Sequence, residues 1–170
     1  MKNHFDVIAI GGGSGGLAVA ETAAQAGKRV AIVEPAVLGG ACVNVGCVPK
    51  KVMWYAAQMA DAVKDAASFG IKVAASSFSW QGLIQARQQY VSDISEYWQD
   101  YVSDSAITMI DGKARFVDQR TIAVGSQQYT AEHIVIATGS RPIVPSLPGA
   151  ELGMTSDGFF ALAQQPKRIA

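Results

Sequence analysis

The sequence predicts an α/β fold built on a parallel sheet, with a small antiparallel β-meander beside it. Three observations predict it. Phe5-Asp6-Val7-Ile8-Ala9-Ile10 reads as a short buried strand and runs at once into Gly11-Gly12-Gly13-Ser14-Gly15-Gly16. An alanine-rich helix follows and ends near Gly27, and Val30-Ala31-Ile32-Val33 makes a second strand that closes on Glu34. Far downstream, the run His133 to Ala137 reads as a buried parallel strand ending at Thr138-Gly139. Ligands in open α/β folds lie at such carboxyl ends of strands.

Strand, glycine loop, helix, strand and terminal acid, in that order, form a Rossmann-like dinucleotide fingerprint. Gly11 makes the tight turn, Gly13 lets backbone approach a pyrophosphate, and Gly16 allows close packing of helix on strand. The phosphates sit on the helix N-terminus, where the N–H groups of Ser14, Gly15 and Gly16 point at them. Glu34 lies eighteen residues past Gly16, near the spacing of a carboxylate that binds a ribose 2′-hydroxyl and would repel a 2′-phosphate. The expected ligand is FAD or NAD, and not NADP.

The only two cysteines, Cys42 and Cys47, sit five apart and run into Val48-Pro49-Lys50-Lys51. In an unbroken helix such residues stand about 8 to 9 Å apart, beyond the about 7 Å that a disulfide spans, so pairing requires a distorted backbone. Gly46 supplies the freedom for that distortion, and Pro49 suits the first turn of a following helix. Free N–H groups at that helix start, with Lys50 and Lys51, favour an anionic and therefore reactive sulfur. Two buried thiols or half of a zinc site are the other readings; His4 and His133 are isolated, so no metal site is expected. A reactive dithiol needs a two-electron partner within reach of the nucleotide, which makes FAD the better choice over NAD.

The remaining elements follow in order. Val52 to Ser68 continues as an alanine-rich helix that Phe69-Gly70 ends. A long helix runs from about Ser79 to Asp104, with Trp80, Leu83, Ile84, Tyr90, Val91, Ile94, Tyr97, Trp98, Tyr101 and Val102 at helical spacing, most of them read as core. Short strands at 107–110, 114–117, 121–124 and 127–129, broken by Asp118-Gln119 and Gly125-Ser126, read as the antiparallel meander. Pro142, Pro145 and Pro148 make an extended exit, and residues 149–170 read as a connector. The domain division expected is therefore 1–148 and 149–170.

Fourteen basic and fourteen acidic residues leave no net charge, so nothing favours nucleic acid or an anionic membrane. No apolar stretch approaches the about 20 residues of a membrane span. Met1-Lys2 and the apolar residues after it mimic a secretory signal, but the run stops at Gly11. The expected compartment is the cytoplasm, where a working disulfide is reduced and reoxidised.

These motifs resemble the FAD-dependent pyridine nucleotide–disulfide oxidoreductases. The carrying residues are Gly11 to Gly16, Glu34, the run from Gly39-Gly40-Ala41-Cys42 through Cys47-Val48-Pro49-Lys50-Lys51-Val52-Met53-Trp54, and Ile136-Ala137-Thr138-Gly139. The Lys-Lys-Val-Met-Trp continuation is similar to the branch that reduces glutathione disulfide. The resemblance implies a redox disulfide between Cys42 and Cys47, with Cys42 attacking the substrate and Cys47 against the flavin. It implies that Lys50 lies beside the flavin's reactive nitrogen, and that Gly40, Ala41, Cys42, Ala114, Ala137, Thr138 and Gly139 join the glycine loop in holding FAD. It further implies NADPH as donor through a domain absent from these 170 residues, oxidised glutathione as the small-molecule disulfide, and a homodimer. On this reading the fold is incomplete at the C-terminus, and the segment alone is inactive. Three positions depart from the branch: Ala41 replaces a threonine, Glu21 an arginine that meets a glutathione carboxylate, and Trp98, next to Tyr97, a tyrosine by the substrate.

Overall fold

A computed structural model describes residues 3–74 and 77–170; the Met1-Lys2 part of the signal-like start lies outside them. In chain order the elements are β1 His4–Ile10, α1 Ser14–Gln25, β2 Val30–Glu34, α2 Gly40–Val45, α3 Cys47–Asp65, α4 Trp80–Asp104, β3 Thr108–Asp111, β4 Ala114–Phe116, β5 Thr121–Val124, β6 Gln127–Ile136 and α5 Ser156–Phe160. The chain divides into two compact units. One comprises Met1–Asn44 and Asp93–Arg141, the other Val45–Ser92 and Pro142–Ala170.

The first unit holds a six-stranded sheet of order β3-β2-β1-β6-β5-β4. β1 pairs parallel with β2 and with β6, and β2 pairs parallel with β3. Alternation along the strands separates two cores. Ile8, Ile10, Ala31 and Val33 join Phe5, Ile110, Ile122 and Val124 on one side. Ala9, Val30 and Ile32 meet Leu17 and Ala20 of α1, Leu38, Val102 of α4 and Ile107 on the other. At about 25 cal/mol per Å² of apolar surface removed from water, this double-faced burial fixes the strand ends that carry the glycine loop.

Two strand readings are corrected. The segment read as strand 107–110 of the meander is β3, parallel to β2 with Val33 opposite Ile110. The helical crossover between β2 and β3 returns the chain to the same sheet edge, as parallel pairing requires. The segments read separately at 127–129 and 133–137 are one strand, β6. Its first residues pair antiparallel with β5 and its length from Thr130 pairs parallel with β1. The meander is thus continuous with the parallel sheet. The second half of β6 is also less buried than expected: His133 and Ile136 are exposed, while Ile134 is half-buried against the first core.

In the second unit, α3 ends in a single 3₁₀ turn at Ala66–Phe69, capped by Gly70 at φ 76°. The Gly70 and Ile71 N–H groups donate to Ala67 O and Ala66 O, closing the last carbonyls as glycine C-caps do. α4 starts at a Ser79 cap, whose Oγ accepts the Gly82 N–H at 3.1 Å. Trp80 Nε1 donates to Leu162 O at 3.3 Å. Arg87 Nη2 donates to Phe160 O at 3.0 Å, with its guanidinium over the Phe160 ring. These bonds tie the segment around α5 to α4.

Candidate functional site

The glycine loop forms because β1 must end against β6. Gly11 lies at φ 110°, and a Cβ there would run into the Ala137 carbonyl. A Cβ on Gly16 would run into the Gly11 carbonyl oxygen. Leu17 N–H donates to Gly13 O at 2.9 Å, starting α1. Gly13 provides no side-chain cap, so the first N–H groups of α1, at exposed Ser14 and Gly15, face outward with the positive end of the helix.

A second glycine pair meets this loop. Gly39 N–H donates to Gly12 O at 2.9 Å. Gly40 lies at φ 57°, and a Cβ there would stand 2.7 Å from the Gly13 Cα. Backbone thus lies on backbone where the dinucleotide fingerprint has its middle glycine. Glu34, at the end of β2, accepts the Gly12 N–H at 2.7 Å through Oε2 and the Ala36 N–H at 3.0 Å through Oε1.

A cleft of about 290 Å³ opens at the carboxyl ends of β1 and β2, lined by Ile10, Gly11, Val33, Glu34, Pro35, Gly112, Lys113, Ala114 and Thr138. This is close to the about 300 Å³ lower bound of small-molecule sites, a space for a nucleoside end and not for a whole dinucleotide. Of the predicted cofactor residues, Gly11, Glu34, Ala114 and Thr138 line it. Gly13 and Gly16 belong to the loop beside it, Gly40 and Ala137 lie against that loop, and Gly139, at φ 74°, is not among the lining residues. Gly112, Pro35 and Lys113 were not anticipated. A sequence signal existed for Gly112, a glycine between two short strands, but Lys113 looks like any exposed lysine. The cradle that Cβ atoms would fill, the outward N–H groups and the carboxylate beside the cleft fit the adenosine and pyrophosphate of FAD.

Cys42 is half-buried in α2, and exposed Ala41 precedes it. α2 ends at Val45, Gly46 leaves helical geometry at φ −150° and ψ −112°, and exposed Cys47 is the first residue of α3. The helix break expected between the cysteines is present, and Pro49 falls in the first turn of the following helix as anticipated. Both cysteines are thiols in this structure. Buried Pro49 and exposed Lys50 occupy the first turn of α3, and the Lys50 N–H donates to Gly46 O at 3.0 Å.

Tyr97, Trp98 and Tyr101 form an aromatic cluster with centroids 5.5 to 6.3 Å apart. Trp98 packs against the core beneath α1, whereas Tyr97 is exposed. The Tyr101 hydroxyl donates to Glu21 Oε1 at 2.9 Å, so the α1 position that departs from the glutathione branch is tied to α4. The α4 stripe is less of a core than its spacing suggests: Tyr90 and Tyr97 are exposed, and two polar residues, Arg87 and Ser95, are each 5 % exposed. Both keep step with Ile84, Val91, Trp98 and Val102, and that is the signal that could have found them. Burial lowers the Arg87 pKa from its ordinary value. Among the described residues no His, Cys, Asp or Glu cluster could hold a metal ion, and no helix is long and apolar enough to cross a membrane.

Sheet order, glycine cradle and strand-end cleft define the class: a dinucleotide-binding α/β unit of Rossmann type, followed in sequence by a closely spaced dithiol. Residues 5–170 match the family described as pyridine nucleotide-disulphide oxidoreductase, and the chain belongs to that family. It is 42 % identical over 170 residues to a glutathione reductase of Nostoc sp., and 43 % identical over 179 aligned positions to one of Schizosaccharomyces pombe. Both matches cover the whole of this chain but only 37 % and 39 % of those relatives.

Proposed function

We propose that this chain is the FAD-binding, dithiol-bearing segment of an NADPH-dependent disulfide reductase acting on oxidised glutathione. One observation carries the reading: the Cys42-to-Lys51 run, broken at Gly46 between two helices, in a chain similar to glutathione reductases along its full length. FAD, when bound, relays two electrons between the nicotinamide and the dithiol.

The chain's own residues supply the rest. The Cys42 thiolate attacks one sulfur of the substrate disulfide; that S–S bond breaks, a mixed disulfide forms, and the first thiol leaves with a proton. Cys47 then attacks the Cys42 sulfur, closing the Cys42–Cys47 disulfide and releasing the second thiol. The substrate gains two electrons and two protons, and the dithiol loses them. The N–H groups of Ser14 to Gly16 take the pyrophosphate, Glu34 the adenosine ribose, and Lys50 stabilises negative charge near the reacting centre. On this reading residues 149–170 lead toward an NADPH-binding domain, the working protein is a homodimer, and its compartment is the cytoplasm.

A reductase of another small disulfide is the second reading. It is favoured by Glu21, whose carboxylate at the arginine position of the glutathione branch opposes an anionic substrate by about 1 kcal/mol at a solvated surface. The test is NADPH oxidation by the full-length protein with oxidised glutathione or with cystamine, a cationic disulfide. Flavin absorbance and turnover with oxidised glutathione are expected, and both Cys42→Ser and Cys47→Ser should abolish turnover. Reduction of cystamine alone selects the second reading. Full turnover in either serine variant overturns both.

A further inference from the structure

Asn44 lies between the two cysteines, and its side chain joins three pieces of the sheet unit. Nδ2 donates to Leu38 O at 3.2 Å and to Gly40 O at 3.0 Å. Oδ1 accepts the Ser95 hydroxyl of α4 at 3.4 Å. The partners settle which end of the amide is which, because two carbonyl oxygens can face only the NH₂ group. Ser95 is 5 % exposed, so its hydroxyl and the Asn44 oxygen satisfy each other where water has little access.

The turn held by Asn44 is the one that touches the glycine loop. Gly39 N–H reaches Gly12 O, Gly40 lies against Gly13, and a Cβ on Gly12 would stand 2.5 Å from Leu38 Cδ2. Cys42 sits two residues before Asn44, in the same short helix, whose six residues are too few to be stable alone. We propose that Asn44, anchored by Ser95, is the positioning residue that fixes the Cys42 helix against the dinucleotide loop. The asparagine amide meets the demand: two donors toward carbonyls and one acceptor toward a hydroxyl. An aspartate would set a carboxylate against two carbonyl oxygens, and alanine would remove all three side-chain bonds.

The proposal rests on the reading of Cys42 as the reactive thiol, yet its test needs no turnover. Reduced full-length protein is alkylated with iodoacetamide, and the rates at Cys42 and Cys47 are measured separately by peptide mass spectrometry. Releasing a half-buried thiol from its held helix should speed Cys42 alkylation about fivefold in Asn44→Ala, which adds no charge beside the thiol, and about twofold in Ser95→Ala, with Cys47 changed less than about 1.5-fold. Melting temperature and flavin content report whether each variant is folded, and if Asn44→Ala does not fold, Ser95→Ala decides. A Cys42 rate equal to wild type in the folded variants, or equal acceleration at both cysteines, overturns the proposal. Loss of turnover with oxidised glutathione in the wild-type protein would sink the functional reading and leave the alkylation ratio standing.

Discussion

The sheet unit and the helical unit bury their side chains to different degrees. In the first, Ile8, Ile32 and Ile122 are wholly inaccessible and both faces of the sheet are covered. In the second, only Pro49, Arg87 and Val91 are buried among the described residues, while Trp54, Tyr55, Met59 and Phe69 are exposed. The glycine loop therefore hangs from strand ends that cannot shift without opening a core. Cys47 begins a helix whose own unit buries little apolar surface, and regions of low burial open locally at lower free energy. A rigidly held glycine loop and a more yielding Cys47 are the division that the packing teaches.

The largest expected effect probes that contrast directly. Ile32→Ala should destabilise the sheet unit by about 2–5 kcal/mol, the cost of emptying a packed core site. Met59→Ala, at 69 % exposure, should change stability by less than about 0.5 kcal/mol. Urea unfolding of the two variants compares them, and equal losses would erase the distinction. Next is the loop. Gly16→Ala should shift the Gly11 carbonyl and cost FAD retention about 1–3 kcal/mol, as overpacking does. Gly15→Ala, whose new Cβ would lie 3.7 Å from the Ala137 Cβ, should retain the flavin. Equal retention by both, measured from absorbance after gel filtration, would show that the loop is softer than its packing implies.

A smaller effect is expected at Glu34. Replacement by alanine removes the acceptor of the Gly12 amide along with the proposed ribose partner, and should weaken FAD binding by about 1–2 kcal/mol, the scale of one charge-assisted hydrogen bond. Unchanged affinity in a fluorescence titration would remove Glu34 from the site. The smallest effect is at Asp118, in the β4–β5 turn of the sheet unit. The Arg120 N–H, donating at 2.8 Å, holds its carboxyl below the ordinary range. A depressed folded value means that its contribution is present above the ordinary carboxylate pKa near about 3.9, and is lost as pH falls through the lower folded value. Carboxyl NMR titration should place Asp118 below an unperturbed aspartate; an ordinary midpoint would refute the turn's hold on it.

Local pattern carried most of what could be read in advance. The strand, glycine loop, helix and Glu34 are sequential neighbours, so spacing alone specifies them, and Ser79 and Gly70 mark helix ends by their own chemistry. Pairing was less legible. Four residues at 108–111 fit either a meander or a parallel edge, and only the crossover between β2 and β3 decides. The strands read at 127–129 and 133–137 are one, and the residues between them are where that strand leaves β5 and continues along β1. Arg87 and Ser95 were hidden by residue type: a helical stripe is read by its apolar members, and polar residues on the same face go unnoticed until a partner such as Asn44 or Phe160 is seen. Cleft residues such as Lys113 come from a distant turn, and no local signal brings that turn to Glu34.

The central claim, a flavin serving a dithiol in which Cys47 is the sulfur nearest the ring, is tested most directly by absorbance during partial reduction of the full-length protein with NADPH. Wild type and Cys42→Ser should develop a long-wavelength thiolate-to-flavin charge-transfer band, and Cys47→Ser should not. A band that survives in Cys47→Ser, or a purified protein without flavin absorbance, would contradict the account.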